Sequence, residues 1–412
     1  MARVVGEMSK IYTFIIGSGF SVPIGLPTGN ELNEKITKAE QLPIGFHSNG
    51  ALVINSEGTK PDFGYTTSYE ATFQFGMRLI KYYCITHDVF DYEEFFDYFN
   101  DIHKRAVKKV QEKELQDLYP LLPPHYYARE EKEDRRGLEL YQQTYQLNHI
   151  YQELIDYLLI LPKNVDFEPY EPFINHIKEL INRGNIVNIY SLNHDVLIEK
   201  IIEHFCLEAY FCDGFTDAGT AYYGDVSGTK QQMEYFANQY DKPIRLHKLH
   251  GSTSYYTFYK EVEAGSYQIS NIVKRPNGLD EFKLEYREGA KILHGKISRG
   301  MLSMDADFLT GTTSKIKRYE SPIYYKPQFE NFWRDLSVTD SLTIIGYGFK
   351  DSKINEIVRQ KLNVAAQCKV IDPFLSAAAE DVAKEILPII QIKNKKINEV
   401  IWNSDSNCSA NS

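Results

Sequence analysis

The chain has 412 residues, 43% of them hydrophobic and 25% charged, and a formal net charge of −10. This length allows one large or two ordinary domains, and the composition is that of a globular protein. The acidic balance disfavours a nucleic-acid binder, because phosphate contacts need a basic surface. No apolar run is long enough to span a bilayer, and the segment Met1–Lys10 lacks the apolar core of a signal peptide.

The cysteines are five in number, widely spaced and without a Cys-x-x-Cys pair. They are Cys84, Cys206, Cys212, Cys368 and Cys408. This pattern argues against a disulfide framework and against a structural zinc site. We therefore expect a cytoplasmic protein that holds no metal.

A first buried strand is predicted over Ile11–Ile16, because a short apolar run ending in glycine is typical of a parallel-sheet core. The loop Gly17-Ser18-Gly19-Phe20-Ser21 follows. Glycine has no Cβ, so this backbone can turn sharply and bring its N–H groups to a phosphate. Taken alone, the loop is more typical of an ordinary strand-to-helix turn. A helix capped by Thr28 or Asn30 is predicted over Glu31–Ala39.

Residues 40–183 depart from this pattern and predict a mainly helical insertion. The part from Gln41 to Gly64 is rich in Gly, Asn, Ser and Pro. Thirteen Phe and Tyr residues lie between Phe63 and Phe99, several of them at helical spacing. Core packing is the simpler interpretation of most of these rings, and an exposed remainder would suit an oligomer interface. Helical periodicity continues over Leu138–Leu161 and Tyr170–Arg183.

The α/β pattern resumes at Gly184. Strands are predicted over Asn185–Leu192, Ile244–Leu249, Leu342–Ile345 and Lys369–Ile371, and helices over Asp195–His204, Lys353–Leu362 and Ser376–Ile386. Residues 214–240 and 256–315 are interpreted as long connections or a small β-rich module. Alternating strands and helices imply an α/β fold with a Rossmann-like, doubly wound parallel sheet. The predicted organisation is an α/β domain of residues 1–39 and 184–400, the insertion at 40–183, and a disordered tail at 401–412.

Polar residues follow two of these predicted strands, at the edge where open α/β sheets bind ligands. Asn193 could bind a ribose or a water, and Asp195 could anchor that arrangement or simply cap the next helix. His250 could take a proton near neutral pH, although a buried structural histidine is the commoner case. His247 faces the opposite side of the extended segment, which argues against a metal shared with His250.

A second glycine loop, Gly346-Tyr347-Gly348-Phe349, follows the predicted strand Leu342–Ile345. Asp351 is expected to cap the helix that contains Asn355. A nucleotide could rest between this loop and the first one, and the alternative is again a plain turn.

Together and in this order, these segments resemble the sirtuin superfamily, whose Gly-Ile-Pro is matched by Gly25-Leu26-Pro27. More closely, they are similar to the sirtuin-like NAD⁺ hydrolases of bacterial antiphage defence, as in the sirtuin-HerA type. The closer likeness is carried by Ser-Leu-Asn-x-Asp at Ser191–Asp195, Lys-Leu-His-Gly-Ser at Lys248–Ser252, and Gly-Tyr-Gly-Phe-x-Asp-x-x-Ile-Asn at Gly346–Asn355. The resemblance spans about Tyr12 to Phe374.

The chain departs from the protein deacylases of that superfamily at two positions. Thr28-Gly29-Asn30 stands where they carry Asp-Phe-Arg, and Leu192 stands where they carry Gln before the catalytic Asn. The chain also cannot build their four-cysteine zinc module from adjacent pairs. These departures put an acetyl-lysine substrate in doubt and leave an NAD site in place.

The resemblance implies an NAD⁺ glycohydrolase that cleaves the nicotinamide–ribose bond and depletes NAD⁺ in abortive infection. It implies that Asn193 and His250 are catalytic and that Asp195 orients the site. It also implies that NAD⁺ is bound, as the substrate, by Gly17, Ser18, Gly19, Phe20, Ser21, Pro27, Thr28, Gly346, Tyr347, Gly348 and Asn355.

The resemblance further implies a homo-oligomer that is activated by assembly or by a partner. The partner would be a HerA-type ATPase or, as a second choice, an Argonaute-like protein, and no direct contact with nucleic acid or membrane is expected. Two alternatives remain open. An NAD-dependent deacylase or ADP-ribosyltransferase would need an acceptor groove. A non-catalytic NAD- or ADP-ribose-binding regulatory subunit would need neither Asn193 nor His250.

Overall fold

The computed structural model describes residues 9–48, 50–54, 59, 61, 67–107, 113–123, 133–217, 223–226, 229–263, 266–274, 286–293, 296–309, 311, 318–387 and 389–402. Its contacts define two compact units. The first unit contains residues 1–26, 161–308 and 319–412, and the second contains 27–160 and 309–318. The predicted tail lies outside the described residues from position 403 onward, as does Cys408.

The strands, in chain order, are β1 (Ile11–Ile16), β2 (Ile44–Phe46), β3 (Leu52–Ile54), β4 (Ile186–Ser191), β5 (Phe211–Cys212), β6 (Gly214–Thr216), β7 (Tyr223–Val226), β8 (Thr229–Gln232), β9 (Glu234–Gln239), β10 (Ile244–Lys248), β11 (Gly251–Glu263), β12 (Ser266–Lys274), β13 (Tyr286–Leu293), β14 (Lys296–Phe308), β15 (Ser341–Ile345), β16 (Gln367–Ile371) and β17 (Ile390–Lys393). The α-helices are α1 (Gly29–Thr37), α2 (Ser68–Thr86), α3 (Tyr92–Val107), α4 (Lys113–Gln116), α5 (Glu133–Leu158), α6 (Glu171–Asn182), α7 (Leu197–His204), α8 (Tyr325–Val338), α9 (Ser352–Lys361) and α10 (Ala377–Ile386). Among the described residues, no helix combines the length and the apolar character needed to cross a membrane.

The first unit is built on a parallel sheet of seven strands in the order β17-β16-β15-β1-β4-β10-β5. The strands β4, β10 and β5 lie on one side of β1, and β15, β16 and β17 lie on the other, which is a doubly wound arrangement. On one face, Phe14 packs edge-on against Phe173 of α6, with ring centroids 5.4 Å apart. On the other face, Tyr190 packs against Phe332 of α8 at 4.7 Å. Both faces are therefore covered by helices, and the predicted fold class is confirmed.

The same unit contains an antiparallel sheet in the order β6-β9-β12-β11-β14-β13-β7-β8. Of the two interpretations of residues 214–240 and 256–315, the β-rich module is therefore correct. The module joins the parallel sheet where β10 passes through Leu249 and His250 into β11. Gly251 makes this junction with a φ of +77°, and a Cβ there would lie 2.3 Å from the Asp307 carbonyl oxygen. Only glycine fits this position without a backbone shift.

The second unit is mainly helical, with α1 to α5 and the hairpin of β2 and β3. Its aromatic rings are largely in the core: Phe95 and Phe99 are fully buried and lie 5.6 Å apart, and Phe99 lies 5.4 Å from Tyr151. Core packing is thus confirmed as the main role of the aromatic segment. Its exposed apolar side chains include Ile85 and Val89, so an oligomer contact through exposed aromatic rings stays a prediction.

His247 is a buried structural histidine. Its ring is stacked between Tyr190 and Tyr240, with centroids 4.5 and 3.9 Å away. Its Nδ1 lies 2.9 Å from Gln328 Oε1, and Gln328 Nε2 donates to the Tyr240 hydroxyl, which assigns the proton to Nδ1. Its Nε2 has no partner in the part of the chain described. Burial lowers the pKa of His247 to about 3.

We predict that acid destabilises the protein through His247. An unfolded histidine binds a proton at about pH 6.5, whereas folded His247 stays neutral until about pH 3. The unfolded state therefore binds more protons between these values, and the free energy of unfolding falls as the pH falls through this window. The loss from this group approaches about 1.4 kcal/mol per pH unit. Urea unfolding between about pH 7 and about pH 5 should show a shallower pH dependence for His247→Gln, and equal slopes would contradict the assignment.

Candidate functional site

The four motifs follow four neighbouring strands of the parallel sheet. In the order β15-β1-β4-β10, the register partners at the strand ends are Ile345, Ile16, Ser191 and Lys248. Because these strands are parallel and end in register, the segments that follow them share one edge of the sheet. The neighbours β1 and β15 also form the point where the strand order reverses, and ligands of open α/β sheets bind at such a point.

The two glycine loops touch each other directly through their backbones. Gly17 N donates to the Ile345 carbonyl at 2.9 Å, and Gly19 N donates to the Gly346 carbonyl at 3.0 Å. A Cβ on Gly17 would lie 2.5 Å from Gly346 O, and a Cβ on Gly346 would lie 2.5 Å from Phe20 N. These glycines therefore serve the contact between the loops. At these positions the loops are in contact, and the binding of a nucleotide by the two loops stays a prediction.

Most backbone donors of the first loop are already used. The N–H groups of Gly17 and Gly19 bond to carbonyl oxygens at the second loop. In addition, Phe20 N donates to Gly17 O and Ser21 N donates to Ser18 O, each at 3.0 Å. The Phe20 ring is buried against Tyr170, with centroids 5.0 Å apart, so it serves the core and not a ligand. The contact of this loop with a phosphate stays a prediction, and Ser18, which is half-buried, is its residue with backbone and side-chain groups not used in these bonds. In the second loop, Gly348 is exposed, and a Cβ there would meet nothing within 4 Å.

Asn193 ties the segment after β4 to the first glycine loop. Its Nδ2 donates to Gly17 O at 3.0 Å and to Ser21 Oγ at 3.1 Å, and its own N–H bonds to Ser191 Oγ at 3.1 Å. A carbonyl oxygen only accepts, so the amide nitrogen must face Gly17 and the orientation of the carboxamide is set. Oδ1 therefore points away from this contact, and it accepts no hydrogen bond from any residue that the structure describes.

Asp195 performs both of the roles that the sequence left open. Its Oδ2 accepts from Ser21 Oγ at 2.9 Å, and its Oδ1 accepts from Leu197 N at 3.0 Å at the start of α7. The side chain is buried together with Ser21. Asp195 thus anchors the first glycine loop and accepts from the N–H of the first residue of α7, and Ser21 links it to Asn193.

Lys248 is a fully buried lysine below the site, and the sequence did not single it out as functional. Its ammonium donates to the Asp195 carbonyl oxygen and to Ser252 Oγ at 3.1 Å, and it forms an ion pair with Glu199 Oε1 at 3.2 Å. These contacts join the segments that follow β4 and β10. A buried cation needs such partners because its removal from water is costly.

The two polar segments are also joined through their backbones. Leu249 N donates to Ser191 O at 3.0 Å, and Thr253 N donates to His194 O at 2.9 Å. The side chain of His194 lies with its ring centroid 6.1 Å from that of His250. Asn193 and His250 therefore stand on adjoining, rigidly connected segments of one edge.

His250 contacts two side chains that come from later in the chain. Its Nε2 lies 3.2 Å from Asp351 Oδ2 and 3.4 Å from the Tyr319 hydroxyl, which in turn donates to Asp351 Oδ2 at 3.2 Å. All three side chains are less than a tenth exposed. The sequence predicted Asp351 only as a helix cap and gave no signal for Tyr319.

Of the remaining predicted binding residues, Asn355, Tyr347 and Thr28 have structural partners. Asn355 Nδ2 donates to the Phe349 carbonyl at 2.7 Å, and its Oδ1 accepts from the Tyr347 hydroxyl at 3.0 Å. Pro27 and Thr28 belong to the second unit, where Thr28 Oγ1 accepts from the N–H at position 31 and caps α1. Contacts of these four side chains with NAD⁺ stay predictions.

No group of three or more His, Cys, Asp or Glu side chains in the described part of the chain is arranged to hold a metal ion. No model of a known protein family matches the chain, and no curated protein matches it in sequence.

Two solved structures of Sir2 enzymes show a distant likeness to the chain. A structure from work on the mechanism and regulation of Sir2 enzymes is 10% identical, with a TM-score of 0.32 over 95% of this chain and 89% of that one. A Sir2 homologue with a histidine-to-asparagine substitution, in complex with ADP-ribose, is also 10% identical, with a TM-score of 0.31 over the same shares. A likeness at this level carries no inference about ligand or activity.

We predict that the contact between the glycine loops is sensitive to a single methyl group. Gly346→Ala places a Cβ against Phe20 N at a residue with a φ of +61°, so it should destabilise the protein by about 1–3 kcal/mol. Gly348→Ala, two residues away and without a neighbour within 4 Å, is the matched control and should have little effect. The free energies of unfolding test this, and equal losses in the two variants would contradict the described contact.

We predict that Lys248 is needed for folding. Lys248→Met leaves the Glu199 carboxylate and the Asp195 carbonyl without their cationic partner, and breaking a buried pair in this way costs about 3–5 kcal/mol. Lys353→Met, which removes an exposed pair with Glu356, is the matched control and should change stability little. A Lys248→Met protein as stable as this control would contradict the assignment.

Proposed function

We propose that this protein hydrolyses the bond between nicotinamide and ribose in NAD⁺. The observation that carries the proposal is the pairing of Asn193 and His250 at one edge of the sheet. Each presents an atom with no hydrogen bond in the described structure, Asn193 Oδ1 and His250 Nδ1. A glycine loop lies directly beside Asn193. The proposal also rests on the motif resemblance, which implies NAD⁺ as the substrate.

The chemistry needs few protein groups. When the C1′–N bond breaks, the bonding electrons go to the pyridinium nitrogen, so nicotinamide leaves as a neutral base without a proton from the enzyme. A water oxygen bonds to C1′ and loses one proton, which the enzyme accepts and then releases to solvent. The products are nicotinamide, ADP-ribose and one proton. The enzyme must therefore hold the ribose, place a water and accept a proton.

Asn193 fits the first two tasks. Its carboxamide nitrogen is held by Gly17 O and Ser21 Oγ, so Oδ1 is oriented before any ligand arrives. An oriented acceptor can bind a ribose hydroxyl or the attacking water without the entropic cost of ordering it first. Asp195 supports this arrangement, because it holds Ser21 through a buried hydrogen bond.

His250 fits the third task. An imidazole is the side chain best suited to accept a proton near neutral pH, and a correctly placed general base contributes roughly 10²–10⁴-fold. The nitrogen that faces away from Asp351 and Tyr319 is Nδ1, and it would take the proton from water directly or through a ribose hydroxyl. Ser18 and the exposed backbone at Gly348 are the groups of the two loops that remain for the phosphates.

The biological role that we propose is depletion of NAD⁺ in antiphage defence, switched on by self-association or by a partner such as a HerA-type ATPase. This part is supported by the motif resemblance alone. A toxic hydrolase needs such control, and the test below therefore includes a series of protein concentrations.

We predict that the purified chain converts NAD⁺ to nicotinamide and ADP-ribose without an acetylated peptide. His250→Ala should lower turnover by roughly 10²–10⁴-fold through loss of the base, and Asn193→Ala should lower it at least about a hundredfold through loss of the oriented acceptor. The surface variants His204→Ala and Asn182→Ala are the matched controls and should keep full activity. Chromatography of the products measures all of these rates.

Two other outcomes would contradict the proposal. Turnover that requires the acetylated peptide would identify a deacylase or transferase. NAD⁺ binding without turnover at any protein concentration would support the regulatory alternative. Loss of activity in a variant that has also lost its thermal unfolding transition would say nothing about chemistry, so the transition is recorded for each variant.

A further inference from the structure

The carboxylate of Asp351, which follows the second glycine loop, lies beside His250 at the sheet edge. β15 and β10 are separated in the sheet by β1 and β4, yet Asp351 Oδ2 lies 3.2 Å from His250 Nε2. The loop between Gly346 and Asp351 therefore reaches over the ends of two strands. Such a contact is not needed to close an ordinary strand-to-helix turn.

Asp351 is held firmly in this position. Its Oδ1 accepts from the N–H groups of Lys353 and Ile354 at 3.0 and 3.2 Å, which caps α9, and its own N–H donates to the Tyr347 hydroxyl at 3.2 Å. The helix N-terminus also favours a negative charge there. One carboxylate oxygen thus serves the helix, and the other faces His250 and Tyr319.

The backbone before Asp351 is constrained as well. Phe349 is buried and has a φ of +54°, a left-handed conformation that costs a bulky residue about 1–2 kcal/mol. Asn355 Nδ2 donates to the carbonyl of this residue at 2.7 Å and holds it in place. A strained residue kept by a dedicated hydrogen bond, two positions before Asp351, fixes the direction in which the carboxylate points.

We propose that Asp351, with Tyr319, is the positioning residue of the base and sets the tautomer of His250. The Tyr319 hydroxyl gives its one proton to Asp351 Oδ2, so both the hydroxyl oxygen and the carboxylate can only accept from His250. The imidazole proton is therefore placed on Nε2. The lone pair is then on Nδ1, the nitrogen without a partner in the described structure. Tyr319 donates to the same Oδ2 at 3.2 Å and packs on Phe329 with ring centroids 4.2 Å apart, so it keeps Asp351 in the accepting role.

The catalytic part of this inference rests on the proposed function, whereas the tautomer does not. In the described structure, the titratable groups that face His250 are Asp351, Tyr319 and His194. Of these, only Asp351 carries a full negative charge near neutral pH. Its replacement by Asn is therefore the sharpest single change, because Asn can still cap α9 through Oδ1 while its amide nitrogen now donates towards His250.

The experiment measures the tautomer of His250 by ¹⁵N NMR of histidine-labelled protein at about pH 8. The His250 signals are assigned by their loss in His250→Gln. The wild-type chain should carry the proton on Nε2, and Asp351→Asn should move it to Nδ1. Tyr319→Phe should keep the wild-type tautomer. Asp340→Asn, which alters an aspartate that accepts the Ile11 N–H at the opposite edge of the sheet, is the matched control.

The same variants give a kinetic readout. Asp351→Asn should lower kcat for NAD⁺ cleavage by roughly 10²–10⁴-fold with little change in KM, because it removes the base and not the binding site. If the wild-type chain does not cleave NAD⁺, the proposed function fails, while the NMR result still decides the tautomer. An unchanged tautomer in Asp351→Asn, or a wild-type proton on Nδ1, would overturn the inference and leave Asp351 as a helix cap.

Discussion

The direct backbone contact between the two glycine loops is the constraint on which the site depends. Gly17 and Gly19 bond to Ile345 and Gly346 across neighbouring strands, and a Cβ at either end of this contact would overlap backbone atoms. The contact joins the loops that follow β1 and β15, so the two loops form one structural unit. Asp351, which follows the second loop, lies beside His250, and Asn193 Nδ2 donates to Gly17 O in the first loop.

The polar side chains of the site share one design. Asn193 and Asp351 each use one polar atom for the fold and keep the other facing the site: Asn193 uses Nδ2 for the first loop, and Asp351 uses Oδ1 for a helix cap. Asp195 uses both of its oxygens for the fold, one for Ser21 and one for α7. Lys248 bonds to both Asp195 and Ser252 and so joins the segments that follow β4 and β10. Groups held in this way are ordered before a ligand binds, which favours catalysis over loose association. Because these side chains also make bonds that the fold requires, most single substitutions here also affect stability.

The sequence could predict the sheet and the four motifs because both depend on local patterns. Apolar runs ending in Gly17, Asn193, His250 and Gly346 predict buried parallel strands, and parallel strands must present their ends at one edge. The partners of His250 could not be predicted, because Asp351 has a sufficient local explanation as a cap and Tyr319 reaches the site only through long-range packing. The contact between the glycine loops could not be predicted either: a glycine that permits close approach looks the same in sequence whether the approaching group is a phosphate or another loop.

The most direct test of the central claim is a crystal structure of the chain with an NAD⁺ analogue whose nicotinamide bond cannot be cleaved. We predict the nicotinamide ribose within hydrogen-bonding distance of Asn193 Oδ1 and His250 Nδ1, with the Gly17–Gly346 contact intact and the pyrophosphate at Ser18 or Gly348. A ribose that touches neither side chain would contradict the assignment of the site. A pyrophosphate lodged between the two glycine loops would contradict the role given to their contact.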